Sequence, residues 1–398
     1  MPSAHRILLV SQTFPPYKGI GGRRWAKFAK YLQANGNQVQ VVCADLMVEK
    51  KSPWKDDVTD IPIHTYKHNF PRVVEQFPKN ILEKIDYRIK LAKLKRMSHG
   101  TPYDRALLDF DSFKEVLLKR LREFKPDYLI VTGAPFYLLY YALGLKEQFP
   151  QTKFVADFRD PWTWGASYGY SELSDKRLNY EKLLEKSVVS SYDLILSPWP
   201  SIVEKLKSLY PENRSKIELM EHGYDPEDFD ELSNESSVSK YDLIFGGTIY
   251  RNTEKILEEI IQKFSSEIDI GLFSNDLKKL NIEGSDSHMS GLIDSKEFFK
   301  RVGSSKAVLM LIPEHMKDGI PSKLFEYAFL GTPIIAVGNR GELSLFIESN
   351  AFGIFLDDIA SLSKSLKELS VKENREEVLL NYNFDHLTRK LLGFLEKK

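Results

Sequence analysis

The pattern that most restricts this chain is a recurrent alternation. A short apolar run ends in a loop rich in glycine or proline, and an amphipathic segment follows. Arg6–Gln12 is the first such run. Its loop carries Pro15, Pro16, Gly19, Gly21 and Gly22. Trp25, Phe28, Ala29 and Leu32 then fall at helical spacing up to Gly36. Gln38–Ala44 is valine-rich and reads as a second strand. Phe113, Leu117, Leu121 and Phe124 stripe a helix that Lys125-Pro126 ends. Tyr128–Thr132, Lys153–Asp157 and Asp193–Ser197 read as further strands. Such alternation of strands and helices argues for a parallel sheet covered on both faces.

The second half repeats the habit. Asp242–Phe245 runs into Gly246-Gly247, followed by a helix over Glu254–Phe264. Ile268–Phe273, Ala307–Ile312 and Pro333–Val337 read as strands. A helix over Ser322–Leu330 is closed by Gly331 and Pro333, and helices over Ile359–Leu369 and Phe384–Glu396 finish the chain. No period of about 20–50 residues recurs, which excludes a solenoid. The fold class expected is α/β, with two Rossmann-like domains joined somewhere between 198 and 240.

Composition narrows the function classes. Lys and Arg total 56, as do Asp and Glu, so the chain is no whole-length polycation built for nucleic acid. A hydrophobic content of 42% excludes wholesale disorder. The single cysteine, Cys43, rules out an internal disulfide and any cysteine-rich zinc site, and a reducing compartment is the natural reading. The apolar run at the N-terminus is too short for a signal-peptide core. Tyr128–Leu145 has no charge and nears membrane-spanning length, but Gly133 and Pro135 break it into strand, turn and helix. Charge is unevenly spread. Lys79–Arg96 holds seven Lys or Arg against two acids, whereas Glu218–Glu235 holds eight acids and no Lys or Arg. The basic stretch also carries Ile81, Ile85, Ile89 and Ala92 at helical spacing, with Leu91 and Leu94 off that stripe. It suggests peripheral contact with an anionic membrane.

In open parallel sheets, ligands bind beyond the carboxyl ends of the strands, and three loops there are unusual. TFPPYKGIGG lets backbone N–H groups approach an anion ahead of a helix start, although Arg24 stands where a dinucleotide fingerprint needs glycine. No GxxxxGK[ST] string occurs. DFRDPW places Asp157, Arg159, Asp160 and Trp162 at a strand end, with Trp164 next. Arg159 suits a phosphate or a neighbouring carboxylate, and the two indoles suit a sugar face. DGIPSKLFEYAFLGTPIIAVG, Asp318–Gly338, is the most specific. Pro321 and Ser322 open a helix whose free N–H groups can hold a diphosphate, and Lys323 adds charge. Glu326 lies one turn beyond Ser322. Asp318 precedes it by eight positions, roughly 12 Å if helical, about the reach of a ribosyl-diphospho-sugar. Carboxylates pair well with neutral diols.

These pieces, with HGYD at His222–Asp225 and the Gly246-Gly247 loop, resemble the family-4 glycosyltransferases of the GT-B fold, in order along nearly the whole chain. The resemblance implies two Rossmann-like domains facing each other across a cleft. It implies an acceptor-binding domain over 1–213, a nucleotide-sugar domain over 214–383, and a last helix, about 384–398, packing back on the first. It implies that Glu326 binds ribose, that Asp318 stands for the sugar-contacting glutamate with a shorter reach, and that Gly21 and Gly22 approach the donor phosphate. Ser322, Lys323 and Leu324 belong to the same donor motif. Thr248 stands where the family often has Arg, leaving Arg251 and Lys255 as cations for the diphosphate. The family's acceptor-side His is absent after Asp157.

The implied reaction is retaining, metal-independent glycosyl transfer from a nucleotide-diphospho-sugar to a glycan or lipid-linked acceptor. It would serve cell-envelope polysaccharide or glycolipid synthesis, in the cytoplasm or on the inner membrane face, with no cofactor. If the enzyme inverts, Asp157 or Asp160 would be the base. Asp109–Asp111, Asp228–Asp230 and the pair His64 and His68 are not read as metal sites. Two alternatives share the architecture: a sugar-nucleotide epimerase and a catalytically silent binding protein.

Overall fold

The computed structural model describes residues 4–76, 78–98, 104–165, 173–234, 241–282, 289–369 and 375–397. The chain forms two compact units. One comprises Met1–Glu221 with Thr388–Lys398, and the other comprises His222–Leu387.

The first unit is built on seven strands: β1 (Arg6–Ser11), β2 (Gln38–Asp45), β3 (Ile63–Lys67), β4 (Tyr128–Gly133), β5 (Lys153–Phe158), β6 (Leu194–Ser197) and β7 (Ile217–Leu219). Every pairing is parallel, and the sheet order is β3-β2-β1-β4-β5-β6-β7. Ile7, Leu8, Leu9 and Val10 of β1 are all buried, because helices cover both faces. Trp25, Phe28, Ala29 and Leu32 form the buried face of the helix Arg23–Ala34. Phe113, Leu117 and Leu121 do the same for the helix Phe110–Phe124. The uncharged stretch from Tyr128 resolves into β4 and the helix Tyr137–Leu143. Among the described residues, no helix is long and apolar enough to cross a membrane.

The expected junction after residue 213 falls short. β7 extends the first sheet by pairing with β6, so the first unit runs on to Glu221. The last helix, Phe384–Glu396, ends in this unit. Leu391 and Leu395 are buried, the Tyr128 hydroxyl donates to the Leu395 carbonyl at 3.1 Å, and Lys390 pairs with Glu221 at 2.7 Å.

The second unit carries six parallel strands: β8 (Leu243–Gly246), β9 (Ile270–Phe273), β10 (Met289–Ser290), β11 (Ala307–Ile312), β12 (Ile334–Gly338) and β13 (Gly353–Leu356). Their order is β10-β9-β8-β11-β12-β13. The winding runs outward from β8 in one direction and resumes from β11 in the other. Loops after β8 and β11 therefore diverge and leave a crevice at their carboxyl ends, as loops after β1 and β4 do in the first unit.

Candidate functional site

The crevice of the second sheet gathers the most informative side chains. Gly246 ends β8. A Cβ there would lie 2.2 Å from the Phe298 ring, so close packing requires a glycine. Gly247 follows with φ 126°, in the left-handed region. Its amide donates to the Phe273 carbonyl at 3.1 Å, which fixes the loop against β9. Beyond it, the Ile249 amide donates to Asp276 at 3.1 Å, and Lys279 both pairs with Asp276 and donates to the Ile249 carbonyl. The Tyr250 ring meets His315 edge-on at 5.2 Å, tying this loop to the one after β11.

The helix Ser322–Phe329 starts beside that glycine loop, with Pro321 as its extended N-cap. Ser322 and Lys323 occupy its first turn, where backbone N–H groups have no intrahelical acceptor. The Lys323 ammonium lies 3.8 Å from where a Gly247 Cβ would stand. Burial lowers the pKa of Lys323, and Glu326 opposes that effect. Among the described residues, no hydrogen bond or ion pair is formed by the Lys323 ammonium. A helix start, a desolvated cation and an open glycine thus converge on one point, which is the arrangement that holds a phosphate. Leu324 is buried beneath, and Glu326, one turn on, is 8% exposed.

Asp318 is half-buried, and its Oδ1 accepts from the Glu342 amide at 3.2 Å. It faces the start of the helix Glu342–Ser349. Arg251 and Lys255 are exposed on the turn and the helix that follow β8. Asp276 and His315 belong to this constellation as well, and motif reading does not single them out. Their one sequence signal is position just after β9 and β11. Partial desolvation lowers the His315 pKa from its ordinary 6.5.

The first unit's loops are differently arranged. Asp157 lies within β5 and has no exposed surface. Its carboxylate accepts from Trp25 Nε1 at 2.7 Å, Thr132 Oγ1 at 3.0 Å and Arg24 Nη2 at 3.4 Å. Arg24 also donates to the carbonyls of Met220 and Glu221, both at 2.6 Å. Asp157 is therefore a brace and not an acceptor-side base. Trp162 belongs to the core as well. It is fully buried, stacks on Phe136 at 4.9 Å and donates to Glu181, so it offers no face to a sugar. Trp164 is half-buried against the same core.

Arg159 serves as a tie and not as an open phosphate receptor. It donates to the Gly21 carbonyl at 2.8 Å and the Ala134 carbonyl at 3.1 Å, and pairs with Asp160 at 3.3 Å. These contacts stitch together the loops after β1, β4 and β5. Gly21 and Gly22 lie in the turn Ile20–Gly22 that leads into the helix Arg23–Ala34. A Cβ on Gly21 would press on Arg159 at 3.1 Å, and one on Gly22 would press on the backbone of Thr13 and Phe14 at 3.0 Å. Asp160 is 9% exposed. His64 bonds Gln40, and His68 lies between Asp109 and Glu75.

No protein-family model matches the sequence, and no curated protein matches it. Solved structures do match. A glycosyltransferase from Rickettsia africae superposes with a TM-score of 0.61 at 14% identity, covering 99% of this chain and 98% of that one. Anabaena HepE, solved in complex with UDP-glucose, gives 0.58 at 10% identity over 99% and 100% of the two chains. A putative UDP-N-acetylglucosamine 2-epimerase from Listeria monocytogenes gives 0.55 at 11% identity over 99% and 96%. The two α/β units, in this order and with these sheets, have the GT-B fold.

Proposed function

We propose that the protein is a glycosyltransferase that takes its sugar from a nucleotide-diphospho-sugar held by the second unit. The observation that carries this reading is the Lys323 ammonium beside Gly247 at the start of the helix Ser322–Phe329, desolvated and in no ion pair among the described residues, with Glu326 offsetting only part of the cost. A diphosphate there meets helix N–H groups and one cation. Both stabilise the charge that develops as the sugar–phosphate bond breaks. In this reading Glu326, one turn along, takes the ribose hydroxyls, and Asp318 takes the sugar. Arg251 and Lys255 are within the same loop system for the distal phosphate. Transfer is metal-independent and retaining in this reading, with a leaving-group oxygen deprotonating the acceptor. The acceptor is a glycan or lipid-linked glycan of the cell envelope, met by the first unit. Asp160 is the remaining carboxylate there if the outcome is inversion.

Support for a nucleotide-sugar comes from the UDP-glucose bound to the fold neighbour from Anabaena. The epimerase neighbour from Listeria keeps a second reading open. A thermal-shift screen of nucleotide-sugars identifies the donor, since a ligand of the native state raises the melting point. Labelled donor then separates the two readings. Sugar transferred only when acceptor is present is the expected outcome, and an epimer formed without acceptor favours the second. Glu326→Ala should cut transfer by orders of magnitude while leaving the melting point near that of the parent. Full activity in that variant would refute the proposal.

A further inference from the structure

We propose that the outward face of the helix Ile81–Ser98 docks on an anionic lipid bilayer. The helix is apolar on two opposite sides. Tyr87, Leu91 and Leu94, at helical spacing, form the inward side. Leu94 is 2% exposed, while Tyr87 and Leu91 are half-buried. The other side holds Ile81, Leu82, Ile85 and Ile89, exposed by 76%, 80%, 52% and 64%. Leu91 and Leu94 thus leave the outward stripe because they anchor the helix to the protein. What remains outside is a row of large aliphatic side chains in water, which a soluble surface does not normally present as a contiguous group.

Cations flank that row. Lys84, Arg88 and Lys95 lie along one edge and Lys93 along the other, with Arg96 at the far end. Among the described residues, these five make no ion pair, whereas Lys90 pairs with Asp86 at 2.8 Å. The adjoining helix Arg72–Glu75 and Gln76 border the helix Ile81–Ser98 on its Glu83, Asp86 and Lys90 side, and the Gln76 side chain donates to the carbonyl of the exposed Met47 at 3.2 Å. Met47 follows β2 and Arg72 follows β3, so the patch lies on the carboxyl-end side of the first sheet, where the acceptor-side loops also emerge.

Aliphatic side chains flanked by Lys and Arg match the acyl boundary and headgroups of an anionic leaflet. A protein partner fits less well, because protein interfaces are depleted in lysine and enriched in aromatic residues at their centres, and the outward row has no aromatic ring. A second copy fits worst, since a two-fold contact would set the same cations against each other. The docking itself does not depend on the transferase reading. Only its corollary does: an acceptor embedded in, or tethered to, the bilayer.

The test is sedimentation of the full chain with vesicles, without nucleotide-sugar. Phosphatidylcholine vesicles are compared with vesicles carrying about a third phosphatidylserine. Binding to the anionic vesicles alone is expected, with release at high salt. The joint variant Lys84→Gln, Arg88→Gln, Lys93→Gln, Lys95→Gln should lower partitioning several hundred-fold, at about fivefold per cation. Ile81→Ser, Ile85→Ser, Ile89→Ser together should lower it at least about tenfold, with the melting point unchanged. Absence of binding, equal binding to neutral vesicles, salt-insensitive binding, or either variant binding like the parent would overturn the proposal. Light scattering adds one more outcome: a dimer abolished by Ile85→Asp, with no vesicle binding, assigns the face to a second copy instead. Because no donor is present, failure here leaves the transferase proposal standing, and failure of transfer leaves this one standing.

Discussion

Replacing Lys323 by methionine should move stability and ligand binding in opposite directions. The ammonium is half-buried and forms no ion pair among the described residues, and burial lowers its pKa from the ordinary 10.5 despite Glu326. A base with a lowered folded pKa binds fewer protons in the folded state than in the unfolded state between that pKa and 10.5. Stability therefore rises with pH across that window, and at neutral pH the empty protein bears the cost of the charge. Methionine fills similar space with no charge to desolvate. The gain expected at pH 7 is about 0.5–2 kcal/mol, the usual yield from relieving a group kept for function. In a domain of this size each kcal/mol shifts the melting point by about 2–4 °C. The unliganded Lys323→Met protein should thus melt about 1–8 °C higher at pH 7, and the difference should shrink toward pH 10. Affinity for a nucleoside diphosphate should fall by about tenfold to a hundredfold, the worth of one hydrogen bond to a charged group. Differential scanning calorimetry at the two pH values, followed by titration with the nucleotide, reads both effects. A lower melting point with unchanged affinity would refute the reasoning, because Lys323 would then be a structural brace.

Two further perturbations follow. Glu185 is buried, and desolvation pushes its carboxyl from 4.5 up to about 7, although Tyr210 and the Thr163 amide donate to it. The folded state then holds an extra proton between those values, so stability falls as pH rises through them. Glu185→Gln keeps both contacts, and its stability relative to the parent should rise by about 3 kcal/mol from pH 4.5 to pH 8. A difference in denaturation midpoint that stays flat with pH contradicts this. Asp318→Ala should cost about 1 kcal/mol by removing the acceptor at the start of the helix Glu342–Ser349. Asp318→Asn keeps that bond and the melting point while lowering transfer about tenfold or more. Asparagine with full activity would remove the carboxylate from the proposed sugar site.

Local features were legible in the sequence where the physics is local. β1 and β11 are apolar on both faces and short, so burial in a covered parallel sheet is their only stable use. The start of the helix Ser322–Phe329 is equally local, since Pro321 ends one conformation and begins the next. Edge elements were not legible. β3 reads IHTYK and is half-exposed, and β7 and β10 are three and two residues long, too brief for any periodicity. Helix Ile81–Ser98 obscured itself differently, because a search for one apolar stripe assumes one buried face and this helix has two apolar sides. The loop around Asp157 shows the harder limit. Its position at a strand end suits either a brace or a catalytic base, and residues near it in sequence do not decide. The partners that decide are Arg24 and Trp25, more than a hundred residues earlier. Both are buried, and a buried guanidinium and a buried indole N–H each need an acceptor. β1 and β4 bring the helix Arg23–Ala34 beside β5, and Asp157 is the carboxylate within reach. That carboxylate holds those donors with no exposed surface, so an acceptor hydroxyl in solvent does not reach it. In the proposed transfer, the proton acceptors left are the donor's own oxygens and Asp160.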